Sequence, residues 1–178
     1  MVGDSTAPRQ AAAPFNIRRL GPADRTSMHA LLDLFSDVFG EPGTYSDARP
    51  PPDYLERLLA RREFIALIAE SDGEVVGGLA AYVLDKFERP RSEVYIYDLA
   101  VAAACRRRGI ATALIRRTQA MAAELGAWVV FVQADRGDDA AIALYSGLGQ
   151  REDVLHFDLP VAEVAGVPPG TPPRNLPE

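Results

Sequence analysis

A strand, a short basic loop, a helix and a second apolar strand follow one another between residues 93 and 134, and this unit constrains the fold most. Residues 93–101 (EVYIYDLAV) are rich in β-branched and aromatic residues, which favour strands. A helix is predicted from about Gly109 to Leu125, and residues 127–134 (AWVVFVQA) form an apolar run typical of a buried strand. Because a strand–helix–strand connection sets its strands side by side in parallel, we expect these two strands to be neighbours.

Further strands and helices are predicted on either side of this unit. Apolar residues at helical spacing predict helices from about Asp24 to Phe39, over residues 54–59, and from about Asp138 to Leu148. Apolar or alternating runs predict strands at residues 15–20, 63–69, 74–84 and 154–159, with the second and third joined in a hairpin by the turn SDGE. The fold class is therefore mixed α/β (α+β), a central sheet flanked by about four helices.

The chain of 178 residues is long enough for one domain with a hydrophobic core. Residues 1–14 lack periodicity and residues 160–178 contain six prolines, so we predict flexible tails on either side of a domain at residues 15–159. No apolar run approaches the ~20 residues that span a bilayer, and the first residues lack a signal-peptide core. We expect a cytoplasmic protein with no membrane partner.

Charge and cysteine content narrow the classes of ligand. The formal net charge of -6 disfavours nucleic-acid phosphates and favours cations. The single cysteine, Cys105, forms no internal disulfide and fits a reducing compartment. With two isolated histidines, no metal site is expected.

The loop between the two parallel strands predicts an anion site. Arg106, Arg107 and Arg108 precede Gly109, which permits a close backbone approach at the start of a helix. Unpaired N–H groups and the positive end of the helix dipole make such a helix start suitable for a pyrophosphate. The spacing matches neither the P-loop nor the Rossmann glycine motif. The alternative is a basic surface loop that only caps a helix.

The order of these elements resembles the GNAT superfamily of N-acetyltransferases. The matched motifs are Arg106-x-x-Gly109-x-Ala111 and the later segment 143–149 (ALYSGLG). The resemblance implies that strand 93–101 bulges and splays from strand 127–134, and that acetyl-coenzyme A is the cosubstrate, with no metal required. The pantetheine arm would lie in this opening beside Leu99, Ala100 and Val101. The residues implied for the pyrophosphate are Arg107, Arg108, Gly109, Ile110, Ala111 and Thr112.

Two further residues are implied by the same resemblance. Tyr145 matches the tyrosine that faces the thioester sulfur, where a phenol can protonate a departing thiolate. Asp138 stands where the family often has an asparagine that contacts pantetheine, and an aspartate lacks the amide donor. The alternative for Tyr145 is a packing role on one face of its helix.

Longer segments of residues 15–159, including KFERPRSE and YIYDLAV, look like the gentamicin-type aminoglycoside 3-N-acetyltransferases of the GNAT class. This implies a polycationic acceptor, whose pocket should offer carboxylates, and a role in aminoglycoside resistance. Asp98 would orient the amine and help to remove its proton, on the strand face opposite Leu99. Its alternative is a carboxylate with a structural role on the strand. Other predicted acceptor-binding residues are Glu88, Glu93, Tyr97, Asp135 and Asp139. Each of these carboxylates has an alternative as a surface charge, and Tyr97 has an alternative in the core.

Three rival functions share parts of this pattern. A GNAT enzyme for a polyamine or a peptide N-terminus would have the same cofactor residues. An acyl-coenzyme A-binding module would bind but not transfer, and a structural α/β domain would do neither. Related enzymes often form dimers, so the resemblance also implies a homodimer. Trp128 is expected in the core.

Overall fold

The structure is a computed structural model that describes residues 14–157 and Leu159. The two predicted tails lie outside the described residues, apart from Pro14. Among the described residues, no helix combines the length and the hydropathy that crossing a bilayer requires.

A five-stranded sheet forms the centre of the domain. Its strands lie in the order of the chain, and all neighbours are antiparallel except β4 and β5, which are parallel. The prediction that these two strands are parallel neighbours is therefore confirmed. The strands are β1 (Asn16–Arg19), β2 (Phe64–Ser71), β3 (Glu74–Asp85), β4 (Ser92–Val101) and β5 (Ala127–Val132).

In the described part of the chain, five α-helices flank the sheet, and four of them agree with the predicted ones. The fifth, a single turn in the proline- and glycine-rich stretch after the first helix, was predicted only as a turn. It begins at Pro42, whose fixed φ suits the first position of a helix. The helices are α1 (Arg25–Phe39), α2 (Pro42–Tyr45), α3 (Pro52–Leu59), α4 (Ile110–Glu124) and α5 (Asp139–Ser146).

Each face of the sheet carries its own hydrophobic cluster. On one face α4 packs through the buried residues Ile110 and Leu114, and Tyr145 of α5 packs on the same cluster. On the other face α1 and α3 pack through residues such as Leu31 and Leu55. The two clusters thus pack on opposite sides of β3 and β4. These two strands carry the site described below.

Two adjacent glycines of β3 allow helices to approach both faces closely. A Cβ on Gly77 would lie 2.7 Å from Cγ2 of Ile110, on the α4 side. A Cβ on Gly78 would lie 2.0 Å from Cδ1 of Leu31 and 3.1 Å from the carbonyl oxygen of Leu67. Because side chains alternate along a strand, Gly77 leaves room for α4 on one face and Gly78 leaves room for α1 on the other.

Replacing Gly78 should therefore destabilise the domain. Leu31 is fully buried, so in Gly78→Ala its side chain must move within a packed core, which we expect to cost about 2 kcal/mol. Urea unfolding measures the change. Gly43→Ala is the control, since a Cβ there meets no atom within 4 Å, and it should leave stability unchanged or raise it by up to about 1 kcal/mol. Equal stability of the two variants would contradict the close approach of α1.

Two expectations about the far edge of the sheet are wrong. The predicted strand at 154–159 does not form among its described residues. Neither set of alternating side chains is buried there: Val154 is 68 % exposed in one set, and Leu155 and Phe157 are 76 % and 74 % exposed in the other. Trp128 is 58 % exposed rather than in the core. Its ring lies 4.4 Å from the Arg91 guanidinium carbon, and its Nε1–H donates to Glu93 at 3.1 Å. β5 is the edge strand of the sheet, so its apolar side chains are only half-buried.

Candidate active site

The parallel strands β4 and β5 pair along only half of β4. Their register ends at Ile96 opposite Val132, whereas β4 continues against β3 as far as Val101 opposite Gly77. On the β5 side, residues 97–101 of β4 therefore have no partner strand in the described part of the chain. Leu99, Ala100 and Val101, predicted beside the pantetheine arm, line this opening. Extended backbone with free hydrogen-bonding groups can pair with an extended ligand.

The basic loop and the start of α4 form a cradle of N–H groups. Arg107 and Gly109 both have positive φ, 61° and 81°. Gly109 is the N-cap of α4, which has no side-chain cap and no acidic residue in its first turn. The first backbone bond of the helix runs from Ala113 N–H to the Gly109 carbonyl at 2.9 Å. No described group accepts from the N–H groups of the three preceding residues, Ile110, Ala111 and Thr112.

This cradle has the charge and the N–H groups that an anion such as a pyrophosphate requires. A Cβ at Gly109 would meet nothing within 4 Å, so the glycine opens space rather than filling the core. The side chains of Arg106 and Arg107 are exposed, while Arg108 is half-buried with Nη1 3.3 Å from the Cys105 sulfur. Positive charge, free N–H groups and a helix dipole thus coincide. Within the described ranges, no group of three or more His, Cys, Asp or Glu side chains could hold a metal ion.

A β-bulge in β4 aims two consecutive side chains at one face. Asp98 pairs with Ala80 and Ile96 pairs with Ala81, so Tyr97 is the extra residue. A bulge places two residues opposite one and interrupts the alternation of side chains. Ile96 and Leu99 pack on the α4 cluster, whereas Tyr97 and Asp98 face the α1 side. The predicted bulge is present, and Asp98 lies on the face opposite Leu99 as predicted.

Asp98 is hydrogen-bonded to a residue that the sequence did not indicate. The Tyr45 hydroxyl at the end of α2 donates to Oδ1 of Asp98 at 3.0 Å. Burial raises the pKa of Asp98, the Tyr45 hydrogen bond lowers it, and the charge of Glu41 raises it. Burial, followed by the Asp98 charge, raises the pKa of Tyr45, which therefore remains a donor at neutral pH.

Aromatic rings form a row beside Asp98 on the same face of the sheet. Tyr97, 61 % exposed, lies 5.8 Å by ring centroids from Tyr82 and from Tyr95. Tyr95 stacks on Phe131 at 4.9 Å, and Phe64 lies 5.3 Å from Tyr82. Aromatic faces attract cations and pack on sugar rings, so this surface suits a large cationic ligand.

Tyr145 lies on α5, and Asp138 directly precedes this helix. Tyr145 packs against the same α4 cluster as Leu99 and Val101. Burial, and then the Asp138 charge, raises the pKa of Tyr145, so its phenol stays protonated at neutral pH. Asp138 is the N-cap of α5, and its Oδ1 accepts from the Ala141 N–H at 3.0 Å. One of its carboxylate oxygens is thereby already used.

Two of the remaining predicted acceptor residues, Glu88 and Glu93, lie away from Asp98. Glu93 precedes Asp98 by five residues on β4, roughly 16 Å along the strand. Lys86 pairs with Glu93 at 3.4 Å and with Glu88 at 3.7 Å. Asp135 and Asp139 are exposed beyond the end of β5. The structure thus brings Tyr97 to Asp98, but Glu88 and Glu93 belong to a separate ion-pair cluster.

Comparison with known families agrees with this geometry. The profile described as the Acetyltransferase (GNAT) family matches residues 28–150, which include the bulged strand, the arginine loop and α5. The chain therefore belongs to the GNAT family and is an acetyltransferase. Enzymes of this family take the acetyl group from acetyl-coenzyme A.

Similar proteins of known structure include two aminoglycoside acetyltransferases from uncultured soil metagenomic samples. One is 54 % identical, with a TM-score of 0.82 over 84 % of this chain and 99 % of its own. The other, in complex with sisomicin, is 34 % identical, with a TM-score of 0.76 over 83 % and 96 %. An uncharacterised N-acetyltransferase of Bacillus subtilis (strain 168) is 25 % identical over 148 residues, 82 % of this chain and 97 % of its own.

Proposed function

We propose that the protein transfers an acetyl group from acetyl-coenzyme A to the 3-amino group of an aminoglycoside and so gives resistance to it. The observation that carries this proposal is the half-buried Asp98 beside an exposed row of tyrosines, on the face opposite the cofactor side of β4. The similarity to two aminoglycoside acetyltransferases, one of them bound to sisomicin, supports the choice of acceptor. The 3-position rests on the sequence resemblance.

The cofactor side of the site would hold coenzyme A in two parts. The N–H groups of the loop and of the first turn of α4 would bind the pyrophosphate, with charge from Arg106 to Arg108. The unpaired half of β4, at Leu99 to Val101, would bind the pantetheine arm. Asp138 retains one oxygen for an amide donor, so it can accept from the arm but cannot donate to it.

The reaction forms one bond and breaks another. Acetyl-coenzyme A supplies a thioester, whose carbonyl carbon is open to attack by an amine. Asp98 binds the acceptor ammonium and takes its proton, directly or through water, which leaves a nucleophilic amine. The new N–C bond forms as the C–S bond breaks, and a free N–H of β4 stabilises the oxyanion. Tyr145 donates its proton to the departing sulfur. The nitrogen releases its second proton to water, and Tyr145 regains a proton from water.

The acceptor side would favour a polycation. Asp98 would hold the reacting ammonium while Tyr97 packs on a sugar ring. Asp135 and Asp139 are proposed to meet further ammonium groups near the end of β5. Glu88 and Glu93 could meet only a distant ring, and a ligand there would compete with Lys86.

Removing a positive charge from the loop should weaken the binding of acetyl-coenzyme A and leave the other steps unchanged. In Arg107→Gln we expect the KM for acetyl-coenzyme A to rise about tenfold, the factor for ~1.4 kcal/mol, with kcat nearly unchanged. The matched control is Arg116→Gln, which removes an exposed charge from the same helix farther from its start and should stay within about twofold. Steady-state kinetics at two salt concentrations measures both variants. Equal effects would mean that overall charge, not the loop, is responsible.

The proposed acceptor is tested by release of coenzyme A thiol with gentamicin, sisomicin, spermidine and a peptide amine. Saturable release with the aminoglycosides, at least about 100-fold faster than with the other amines, supports the proposal. Release only with spermidine or the peptide would assign the same chemistry to another amine. Binding of coenzyme A without release would favour a binding module.

A homodimer in the cytoplasm is the proposed form of the enzyme. The exposed apolar side chains of Trp128, Leu155 and Phe157 border the outer edge of the sheet and would be covered by a second copy. The lone cysteine fits a reducing compartment. Light scattering of the purified chain distinguishes a dimer of about twice the chain mass from a monomer.

A further inference from the structure

The contact between α2 and Asp98 joins two parts of the chain that lie far apart in sequence. Tyr45 and Asp98 are separated by 53 residues, and their hydrogen bond is 3.0 Å long. Among the described residues, Tyr45 is the one hydrogen-bond donor to this carboxylate, and it occupies Oδ1. Oδ2 is therefore left for a ligand.

The position of Tyr45 is fixed by neighbours that take no part in this bond. Its ring lies 5.7 Å from the rings of both Phe35 and Phe39 on α1. Ser46, the next residue, is 3.0 Å from Ser36 between hydroxyl oxygens. Four groups of the α1–α2 corner thus hold the phenol in place, and its hydrogen bond fixes the orientation of Asp98 in turn.

We infer that Tyr45 is a positioning residue for the acceptor: it holds Oδ1 of Asp98 and directs Oδ2 towards the reacting ammonium group. This inference rests on the proposed function, in which Asp98 binds that ammonium. It also assigns the single-turn helix α2 to the acceptor site. A tyrosine that only packed α2 on α1, without holding Oδ1 of Asp98, would have no influence on the protonation of that carboxylate.

The electrostatic surroundings of Asp98 define a distinctive readout. The pKa of Asp98 is influenced by Tyr45 from α2 and by Glu41, which precedes α2. The charge of Asp98 in turn raises the pKa of Tyr82 from β3 and of Tyr95 from β4. A donated hydrogen bond favours the ionised carboxylate and lowers its pKa, while the Glu41 charge raises it. Removing the Tyr45 hydroxyl should therefore raise the pKa of Asp98, and removing the Glu41 charge should lower it.

The test uses Tyr45→Phe, which keeps the ring on Phe35 and Phe39. The control is Ser46→Ala, which removes the neighbouring hydroxyl contact with Ser36 but not the one with Asp98. The pKa of Asp98 is read by carbon NMR of ¹³C-labelled aspartate, and the pH profile of kcat/KM by thiol release. We expect Tyr45→Phe to lower kcat/KM about tenfold below the pKa of Asp98, and progressively less at alkaline pH, as the acidic limb moves to higher pH. Glu41→Gln should move this limb in the opposite direction.

The NMR result decides the inference independently of turnover. A higher pKa of Asp98 in Tyr45→Phe, with none in Ser46→Ala, supports it. An unchanged pKa, equal shifts in both variants, or a loss of kcat/KM that is the same at every pH would overturn it. Absence of aminoglycoside turnover by the unmodified protein would instead refute the proposed acceptor, whatever the NMR titration shows.

Discussion

Replacing Asp98 by asparagine should lower kcat/KM for an aminoglycoside by about 100- to 1000-fold, within the range for loss of a general base. Asparagine has nearly the same shape and its Oδ1 can still accept from Tyr45, so the fold of the site is retained. It can neither attract an ammonium group by charge nor take its proton. The KM for acetyl-coenzyme A, bound on the other side of β4, should change by less than about twofold.

The same variant should be more stable than the unmodified protein at neutral pH. Burial raises the pKa of Asp98, so at intermediate pH the folded state binds this proton more readily than the unfolded state does. Stability then falls as pH rises from the ordinary aspartate pKa through the raised one, and it stays lower above that. Asparagine removes this penalty, and we expect the Tm at pH 7.5 to rise by about 2–4 °C. This gain in Tm should vanish in acid, where Asp98 is protonated in both states. For the activity prediction, an Asp98→Asn variant that kept its kcat/KM would refute the role of Asp98.

Replacing Tyr145 by phenylalanine should lower kcat about 100-fold with little change in either KM. The ring would keep its packing on the α4 cluster, so the loss would report on the hydroxyl alone. Because burial raises the pKa of Tyr145, the phenol should serve as a proton donor well into the alkaline range. The alkaline limb of the kcat profile should therefore belong to this residue and disappear in the variant.

A second tyrosine provides the control for this change. Tyr54 is 48 % exposed on α3, and Tyr54→Phe should leave kcat within about twofold. Thiol release at saturating substrates from pH 6 to 10 compares the three proteins. If Tyr145→Phe keeps both its kcat and its alkaline limb, Tyr145 only packs α5 and the sulfur is protonated by water.

Local patterns predicted the backbone geometry of the proposed cofactor loop. The arginines, Gly109 and the amphipathic α4 are contiguous in sequence, so their composition and spacing indicate a strand, a left-handed turn and a helix. Gly109 indeed has φ 81° and begins α4. The parallel pairing of β4 and β5 follows from the strand–helix–strand connection between them, which one continuous segment of the sequence contains.

The acceptor side depends on long-range contacts and was only partly predicted. Strand alternation identified the face of Asp98, but it gives no sign that Tyr97 is the extra residue of a bulge and shares that face. Tyr45 reaches Asp98 through a single turn of helix in a proline-rich stretch, 53 residues away. A tyrosine between Thr44 and Ser46 carries no periodic signal. The local signal for Tyr45 is therefore weak, and only packing on α1 reveals its role.

The edge of the sheet shows the same limit of local patterns. An apolar run such as AWVVFV predicts a buried strand, yet burial also requires a neighbouring element. Beyond β5, the described residues 151–157 form no strand, and Trp128 is covered in part by Arg91 instead. A sequence pattern cannot distinguish a strand in the middle of a sheet from one at its edge.

The most direct test of acetyl transfer to an aminoglycoside is NMR identification of the product formed from sisomicin and acetyl-coenzyme A. We predict one new acetyl group, on the 3-amino nitrogen, in an amount equal to the thiol released. An acetyl group on another nitrogen would retain the acceptor but refute the predicted position. Unmodified sisomicin, with or without thiol release, would contradict the assignment of this protein as an aminoglycoside acetyltransferase.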